Sequence, residues 1–373
     1  MVCSIFCSTV LPNTALDIVP SSFTIGTPYG LAMAIEVPQP ASLPAANGTS
    51  AKRSPPELVS TLKPIYAKFL KDLKATDCIQ FENEKLLKAV MEHAHSTGLV
   101  IEPGTLSYQT LMVGYSMADL CYPYHPLEVR VFIAIYTWLT LYLDDTEQLG
   151  MVDELKMFQQ RYIRGEDQPN ATLRCFGAHL RLAYDLFDPC AANYIITSTL
   201  DYVSASVLNA KGFLEEKYIN PSPGGQKFPW FIRRKDGFAE AYAWFLYPKG
   251  KYPNLSVPLE AIEDMTMYIC LVNDVMSFYK EELNGETANY IHGVAAYSGG
   301  DVLAALSGAA GDAAGCAHRI ESVLKGKGPY EEVWRIFANG FIHMHLRRTR
   351  YRLYEVGVPS AARLDEKEVA KTS

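Results

Sequence analysis

An all-α fold is what this sequence predicts, and three observations carry the prediction. From Glu57 onward, apolar residues recur every three to four positions, as in Leu58, Leu62, Ile65, Tyr66, Phe69 and Leu70, and the rhythm persists to about Tyr354. Few alternating β-branched runs interrupt it. Proline and glycine punctuate the periodic segments at Pro123, Pro189, Pro221–Gly225, Pro248, Pro253 and Gly326–Pro329.

Taken in order, the first helix candidates are Glu57 to Leu73, Asn83 to His95 and Pro126 to Asp144, the last set off by Pro123. Glu154 to Arg164 and Ala171 to Leu186 follow, and Pro189 separates them from Cys190 to Ile219. The Pro221–Gly225 cluster precedes Lys227 to Leu246, and Pro248 and Pro253 precede Leu259 to Leu283. Gly326–Pro329 divides Gly300 to Lys325 from Tyr330 to Tyr354. No repeat of fixed period is present. The pattern predicts a single helical domain over residues 57–360. Ahead of it, residues 1–56 are rich in Pro, Ser, Ala and Gly and read as a poorly ordered extension; residues 361–373 read as a polar tail.

Bulk properties narrow the function. The chain has 373 residues, 49% hydrophobic and 20% charged, which describes a soluble globular protein. Its net charge of -7 argues against a nucleic-acid partner, because phosphate contacts leave a basic footprint. A small phosphorylated ligand stays open, since metal ions can bridge acidic side chains to phosphate oxygens. The cysteines are scattered without a CxxC pair and read as reduced thiols. The opening MVCSIFCSTVLP lacks a basic segment, and the apolar run from Val129 to Leu143 is too short to span a bilayer. A cytoplasmic protein without a membrane span is expected, and the sequons at Asn47, Asn170 and Asn254 then carry no meaning.

Two acidic motifs concentrate the chemistry. In YTWLTLYLDDTEQ, Asp144 and Asp145 end a strongly apolar helix and Glu147 follows. Adjacent carboxylates repel unless solvent or a cation neutralises them. A solvated helix end explains the pair equally well as a metal does. In MYICLVNDVMSFYKEE, Asn273, Ser277 and Glu281 are spaced i, i+4, i+8 and share one helix face. That face aligns an amide oxygen, a hydroxyl and a carboxylate within apolar surroundings. Either it is the wet side of an amphipathic helix, or the three oxygens share a divalent cation. Together the motifs predict two helices facing each other across a cleft.

At these residues the chain resembles the class I terpene cyclases, and NDVMSFYKE is especially similar to the fungal trichodiene synthase family. Asp144-Asp145-Thr146-Glu147 resembles the aspartate-rich motif of those cyclases, and Asn273, Ser277 and Glu281 their NSE motif. The resemblance reaches HLRRTRYRL, with an Arg350-Tyr351 pair, and covers roughly Pro56 to Tyr354. It implies a helical bundle around a central apolar cavity, Mg2+ (three ions in the family) and farnesyl diphosphate as substrate. It implies metal binding by Asp144, Asn273, Ser277 and Glu281, and diphosphate binding by Arg233, Lys280, Arg350 and Tyr351. In FPWFIRRKDGFAEAY, Arg233, Asp236 and Gly237 match the family's diphosphate-sensing arginine and effector glycine, with Arg234 a competing choice for the arginine. A helix break near Gly237 would free a backbone carbonyl to face an allylic cation. The resemblance is also compatible with a homodimer.

Two departures qualify it. Gln148 stands where the first motif ends in aspartate, which weakens a second-carboxylate role but leaves Asp144 untouched. The N-terminal extension also places both motifs late in the chain. Ionisation needs no general base, and an apolar pocket with aromatic faces would stabilise the cation. Tyr115, Tyr136, Trp138, Phe213, Tyr242 and Trp244 are candidate liners. His343 and His345 lie about 200° apart on a helix, so packing or a solvated edge suits them better than a shared metal. A chain-elongating prenyltransferase shares the implied fold but carries two aspartate-rich motifs, which the NSE text opposes. A catalytically silent binder of apolar ligands is the reading from outside enzymology.

Overall fold

Residues 55–76, 83–144 and 150–358 are described by the structure, a computed structural model, and among them every regular element is helical. The expected extension 1–56 lies outside the described residues except for Pro55 and Pro56, which open the first helix, and the tail 361–373 lies wholly outside them.

The chain runs through α1 (Pro55–Asp72), α2 (Glu84–Ser96), α3 (Leu106–Ser116), a π-helical turn (Met117–Cys121), α4 (Leu127–Asp144), α5 (Val152–Arg164), α6 (Ala171–Arg181) and α7 (Ala183–Leu186). It continues with α8 (Pro189–Ala210), α9 (Phe213–Ile219), α10 (Phe228–Asp236), α11 (Ala239–Phe245), α12 (Ile262–Asn284), α13 (Tyr290–Ser298), α14 (Val302–Leu324) and α15 (Pro329–Arg347). Two 3-10 turns, Thr349–Tyr351 and Leu353–Val356, close the described chain.

Side-chain caps start several of these helices. The Asn83 side chain accepts from Leu86 N, Thr105 from Tyr108 N, Asn170 from Leu173 N and Asn289 from His292 N. Each satisfies an amide that the first helical turn leaves unpaired. Asn170, one of the sequons, is therefore a cap. At the other end of α12, Gly285 adopts the left-handed conformation that stops the helix.

Burial sorts the helices into centre and shell. Along α4, Phe132, Ile133, Ala134, Ile135, Tyr136 and Trp138 are consecutive or nearly so and all buried, so the helix is enclosed on every side. The run from Tyr268 to Val272 makes α12 equally central. Around them, α3 packs on α4, α11 and α14 on α12, α10 and α11 on α8, and α15 on the π turn. Two glycines permit the closest approaches. A Cβ on Gly114 would sit 2.2 Å from the Ala134 carbonyl oxygen, and one on Gly340 would sit 2.0 Å from that of Leu120. No helix among the described residues is long and apolar enough to cross a membrane. Among the described residues, Cys121, Cys175, Cys190, Cys270 and Cys316 form no disulfide with one another.

The all-α expectation holds, and several boundaries move. The segments α3 and α13 were not among the candidates: α3 buries Ser107, Thr110, Gly114 and Ser116 together with its apolar residues, which erases the amphipathic period. Cys190 to Ile219 divides at Gly212, left-handed at φ 70°. Lys227 to Leu246 divides at Gly237–Phe238, and the final helix stops at Arg347 rather than reaching Tyr354.

Candidate active site

One cavity of about 270 Å³ is lined by each residue expected from the sequence to bind metal or diphosphate, and by Asp236 and Gly237. Asp144 enters from the end of α4, Arg233 and Asp236 from α10, and Gly237 from the break behind it. Asn273, Ser277, Lys280 and Glu281 come from α12, and Arg350 and Tyr351 from the turn after α15. Asp145, Glu147 and Gln148 lie outside the described residues. A larger groove, about 600 Å³, runs beside α2, α4 and α6, but its polar lining is limited to Glu92, His93, Glu128, His179 and Asp185. No motif converges there.

On α12 the three aligned oxygen donors are differently occupied. Asn273 Oδ1 accepts from Arg233 Nη2 at 3.2 Å. Glu281 Oε2 accepts from Asn289 Nδ2 at 3.0 Å, with Lys280 Nζ 3.9 Å from its Oε1. Burial raises the Glu281 pKa, against the lowering influence of Ser277 and Lys280. Ser277 Oγ is near enough to exert that influence, yet it is buried without a hydrogen bond of ordinary geometry. A buried hydroxyl left in that state is destabilising unless something else fills its coordination. A hard divalent cation fits an amide, a hydroxyl and a carboxylate on one helix face. Among the described residues, no three His, Cys, Asp or Glu side chains group as a metal site, so the donors here are a mixed set.

Arg233, from α10, is the hub of the same polar wall. Its Nε stands 2.8 Å from Asp274 Oδ1 and its Nη1 2.9 Å from Asp236 Oδ1. Burial pushes both carboxyls up to about 6, while the guanidinium opposes that shift. Arg234 turns away, to Glu240 and Glu263. Of the two arginines, only Arg233 faces the cavity. Asp274, buried within the NSE segment itself, was not singled out from the sequence. An apolar helical period gives no sign that the residue after Asn273 pairs with a distant arginine.

The predicted break at Gly237 is present. Phe238, which follows it, takes a left-handed backbone (φ 37°), an uncommon conformation for a large side chain. The reversal lets α10 end and α11 begin without an intervening loop. It also puts the Phe238 ring against Tyr202 and Tyr242, with centroids 4.8 and 5.5 Å away.

Apolar and aromatic side chains form the remaining wall: Val113, Met117, Leu141, Phe238, Tyr242, Ile269, Phe341, Met344 and Tyr351. Thr137 Oγ1 donates to Ile133 O, so it must accept from Tyr242 Oη at 2.8 Å. The Tyr242 proton is thereby committed, and burial raises its pKa well above the usual phenol value. Of the aromatic liners expected from sequence, Tyr242 alone lines the cavity. Tyr136 and Trp138 are fully buried elsewhere, Tyr115 accepts from Asn83 N, Phe213 is half exposed, and Trp244 stacks on Tyr194. Helical spacing placed these rings in the core but did not say which part of it. His343 bonds the Thr76 carbonyl, and His345 is completely buried beside Asn273. Neither is a solvated edge.

Comparison with known proteins supplies the remaining findings. A family model described as trichodiene synthase (TRI5) matches residues 77–370. Longiborneol synthase CLM1 of Gibberella zeae is 49% identical over 326 residues, 87% of this chain and 95% of its own. The linalool/nerolidol synthase structure from Streptomyces clavuligerus superposes with a TM-score of 0.57 at 12% identity, over 73% of this chain and 98% of that one. Isoprene synthase from grey poplar, in complex with three Mg2+ ions and dimethylallyl-S-thiolodiphosphate, superposes with a TM-score of 0.50 at 16% identity, over 81% of this chain and 60% of that one. At such identities the two structures speak for the shared helical fold.

Proposed function

We propose, for a chain that belongs to the trichodiene synthase family and is a terpene cyclase, that its substrate is farnesyl diphosphate and that the cavity beside α12 converts it to a cyclic sesquiterpene. The observation that carries this reading is the division of one cavity into a polar wall of oxygen donors and cations and an apolar, aromatic wall. Such a division suits a substrate with a diphosphate head and a hydrocarbon tail.

Asp144 on one side and Asn273, Ser277 and Glu281 on the other would hold Mg2+, and three ions, the number in the poplar isoprene synthase complex, is the number proposed. Bound there, Mg2+ supplies charge neutralisation to the departing diphosphate. Arg233, Lys280 and Arg350 add fixed positive charge, and the guanidinium forks suit bidentate phosphate contact. Tyr351 offers its hydroxyl beside Arg350, whose guanidinium lies 5.5 Å from the Tyr351 ring centre. Asp236 orients Arg233 through the Nη1 contact.

When the allylic C–O bond breaks, its electron pair leaves with diphosphate and the carbon chain becomes a cation. The residues that meet this cation are Phe238, Tyr242, Phe341 and Tyr351, whose ring faces attract positive charge. The Tyr242 hydroxyl is held by Thr137, which keeps the phenol from acting as a stray proton donor. The Gly237 break sets the backbone of that wall against the same space.

Incubation of the full chain with C10, C15 and C20 prenyl diphosphates and Mg2+, followed by gas chromatography, tests the reading. A cyclic C15 product with released diphosphate is expected. A longer prenyl diphosphate would instead make the protein an elongase, and binding without turnover would make it a silent ligand carrier.

A further inference from the structure

We propose that His345 is a positioning residue of the metal face, its ring fixing the Asn273 amide so that Oδ1 is presented to the cavity. The inference rests on the reading of Asn273 as a metal ligand.

Hydrogen-bond logic carries it. His345 Nε2 lies 3.1 Å from Asn273 Nδ2, and its Nδ1 lies 2.8 Å from the Phe341 carbonyl oxygen. A carbonyl only accepts, so Nδ1 bears a proton. A guanidinium only donates, so the Asn273 atom facing Arg233 Nη2 at 3.2 Å is the oxygen. The nitrogen of that amide must then face His345, and Nε2 must accept from it. Three contacts thus select one tautomer of the ring and one orientation of the amide, and they agree. If the amide turned over, its NH2 would point to where a cation belongs, and no cation is bound by an amide nitrogen that carries two protons.

The surroundings hold the ring in this role. His345 has no exposed surface and is wedged between Phe341 and Tyr351, with centroids 4.7 and 4.5 Å away. Its spare nitrogen is spent on Asn273 and not on a backbone group, as an ordinary core histidine would spend it. His345 therefore joins the α12 donor face to the turn that carries Arg350 and Tyr351.

Two substitutions separate this role from packing. In His345→Asn the side-chain amide can still donate to the Phe341 carbonyl but cannot reach Asn273. In His345→Gln the longer amide can offer an oxygen where Nε2 stood. Binding of Mn2+ in the presence of inorganic diphosphate, followed by electron paramagnetic resonance on the full chain, reads the metal face without turnover. The expected result is about 10- to 100-fold weaker Mn2+ binding for His345→Asn, with recovery to near the wild-type level in His345→Gln. Wild-type affinity in His345→Asn overturns the inference and leaves the metal site standing. Equal weakening in both variants, tracking a common fall in Tm, also overturns it, since that is packing loss. If the wild-type chain itself binds no Mn2+ with diphosphate, the assignment of Asn273 as a ligand fails first, and that of His345 with it.

Discussion

Arg233 crosses from α10 to α12 and holds both carboxylate oxygens of Asp274 through a single nitrogen, Nε, at 2.8 and 3.0 Å. The pair is mostly buried, with 13% and 10% of the two side chains exposed. Removing Arg233 strands Asp274, whereas removing Asp274 leaves Arg233 with Asp236; breaking a buried pair of this kind typically destabilises by about 3 kcal/mol or more. Asp274→Ala is expected to lose stability on that order in denaturant unfolding. The double variant with Arg233→Ala should lose less than the sum of the two single losses, because each single loss already includes the Arg233–Asp274 contact. Strict additivity would mean the contact carries no energy. Turnover should be lost wherever Arg233 is lost, whatever happens to stability.

Asn273→Ala and Glu281→Ala test the donor face directly. Each removes one donor side chain from a row of three while leaving the apolar sides of α12 intact. Turnover should fall at least a hundredfold, about 3 kcal/mol of transition-state stabilisation, with the helical circular-dichroism signal unchanged. Chelation by EDTA should abolish turnover in the wild type, and added Mg2+ should restore it. A near-wild-type rate in either variant would sink the metal assignment.

Gly237→Ala examines the helix break. Its backbone φ of -84° is open to any residue, so the obstacle is space. A Cβ there would meet Arg233 Nη1 at 2.8 Å and Cys270 Sγ at 2.9 Å. Arg233 cannot swing aside without leaving Asp236 and Asp274. Overpacking of this kind destabilises by about 1–3 kcal/mol, and turnover should drop at least about tenfold as Arg233 shifts. Adding Cys270→Ala should recover part of the stability but not the turnover. Recovery of both would place the fault at Cys270 and clear Arg233.

Much of this site was legible in the sequence because its chemistry is local. The Asn273, Ser277 and Glu281 alignment follows from helical spacing alone, and Gly237 announces its break through residue type. What was hidden depends on tertiary contact. Asp274 looks like any polar residue until Arg233 arrives from α10. His345 reads as packing until Asn273 is seen across from it. The cavity aromatics were mostly missed for the same reason: Tyr136 and Trp138 have the same helical spacing as Tyr242, and only the course of α11 decides which ring meets the cavity. The helix α3 was unreadable because Thr110 to Ser116 are all buried and Gln109 alone is exposed, and a period shows only where one face stays wet.

Acid sensitivity is expected from a histidine remote from the metal face. His125 precedes α4, and its Nε2 donates to the Phe245 carbonyl at 2.9 Å. Burial lowers its pKa from 6.5 to about 4; the Phe245 carbonyl opposes this, and Lys251 and Arg130 lower it further. The folded chain therefore refuses a proton that the unfolded chain accepts. Above pH 6.5 neither state binds it, and stability is unaffected. As pH falls from 6.5 toward 4, the unfolded state gains the proton and folding stability declines, by on the order of 3 kcal/mol in total. His125→Gln keeps an N–H donor for Phe245 and does not titrate. Urea unfolding at a series of pH values should show a slope shallower by one proton in His125→Gln across that window. His179, buried and also lowered, to about 3, contributes equally to both curves, so their difference isolates His125. Parallel curves would show that His125 is protonated in the folded chain, and the acid sensitivity would then belong to other groups.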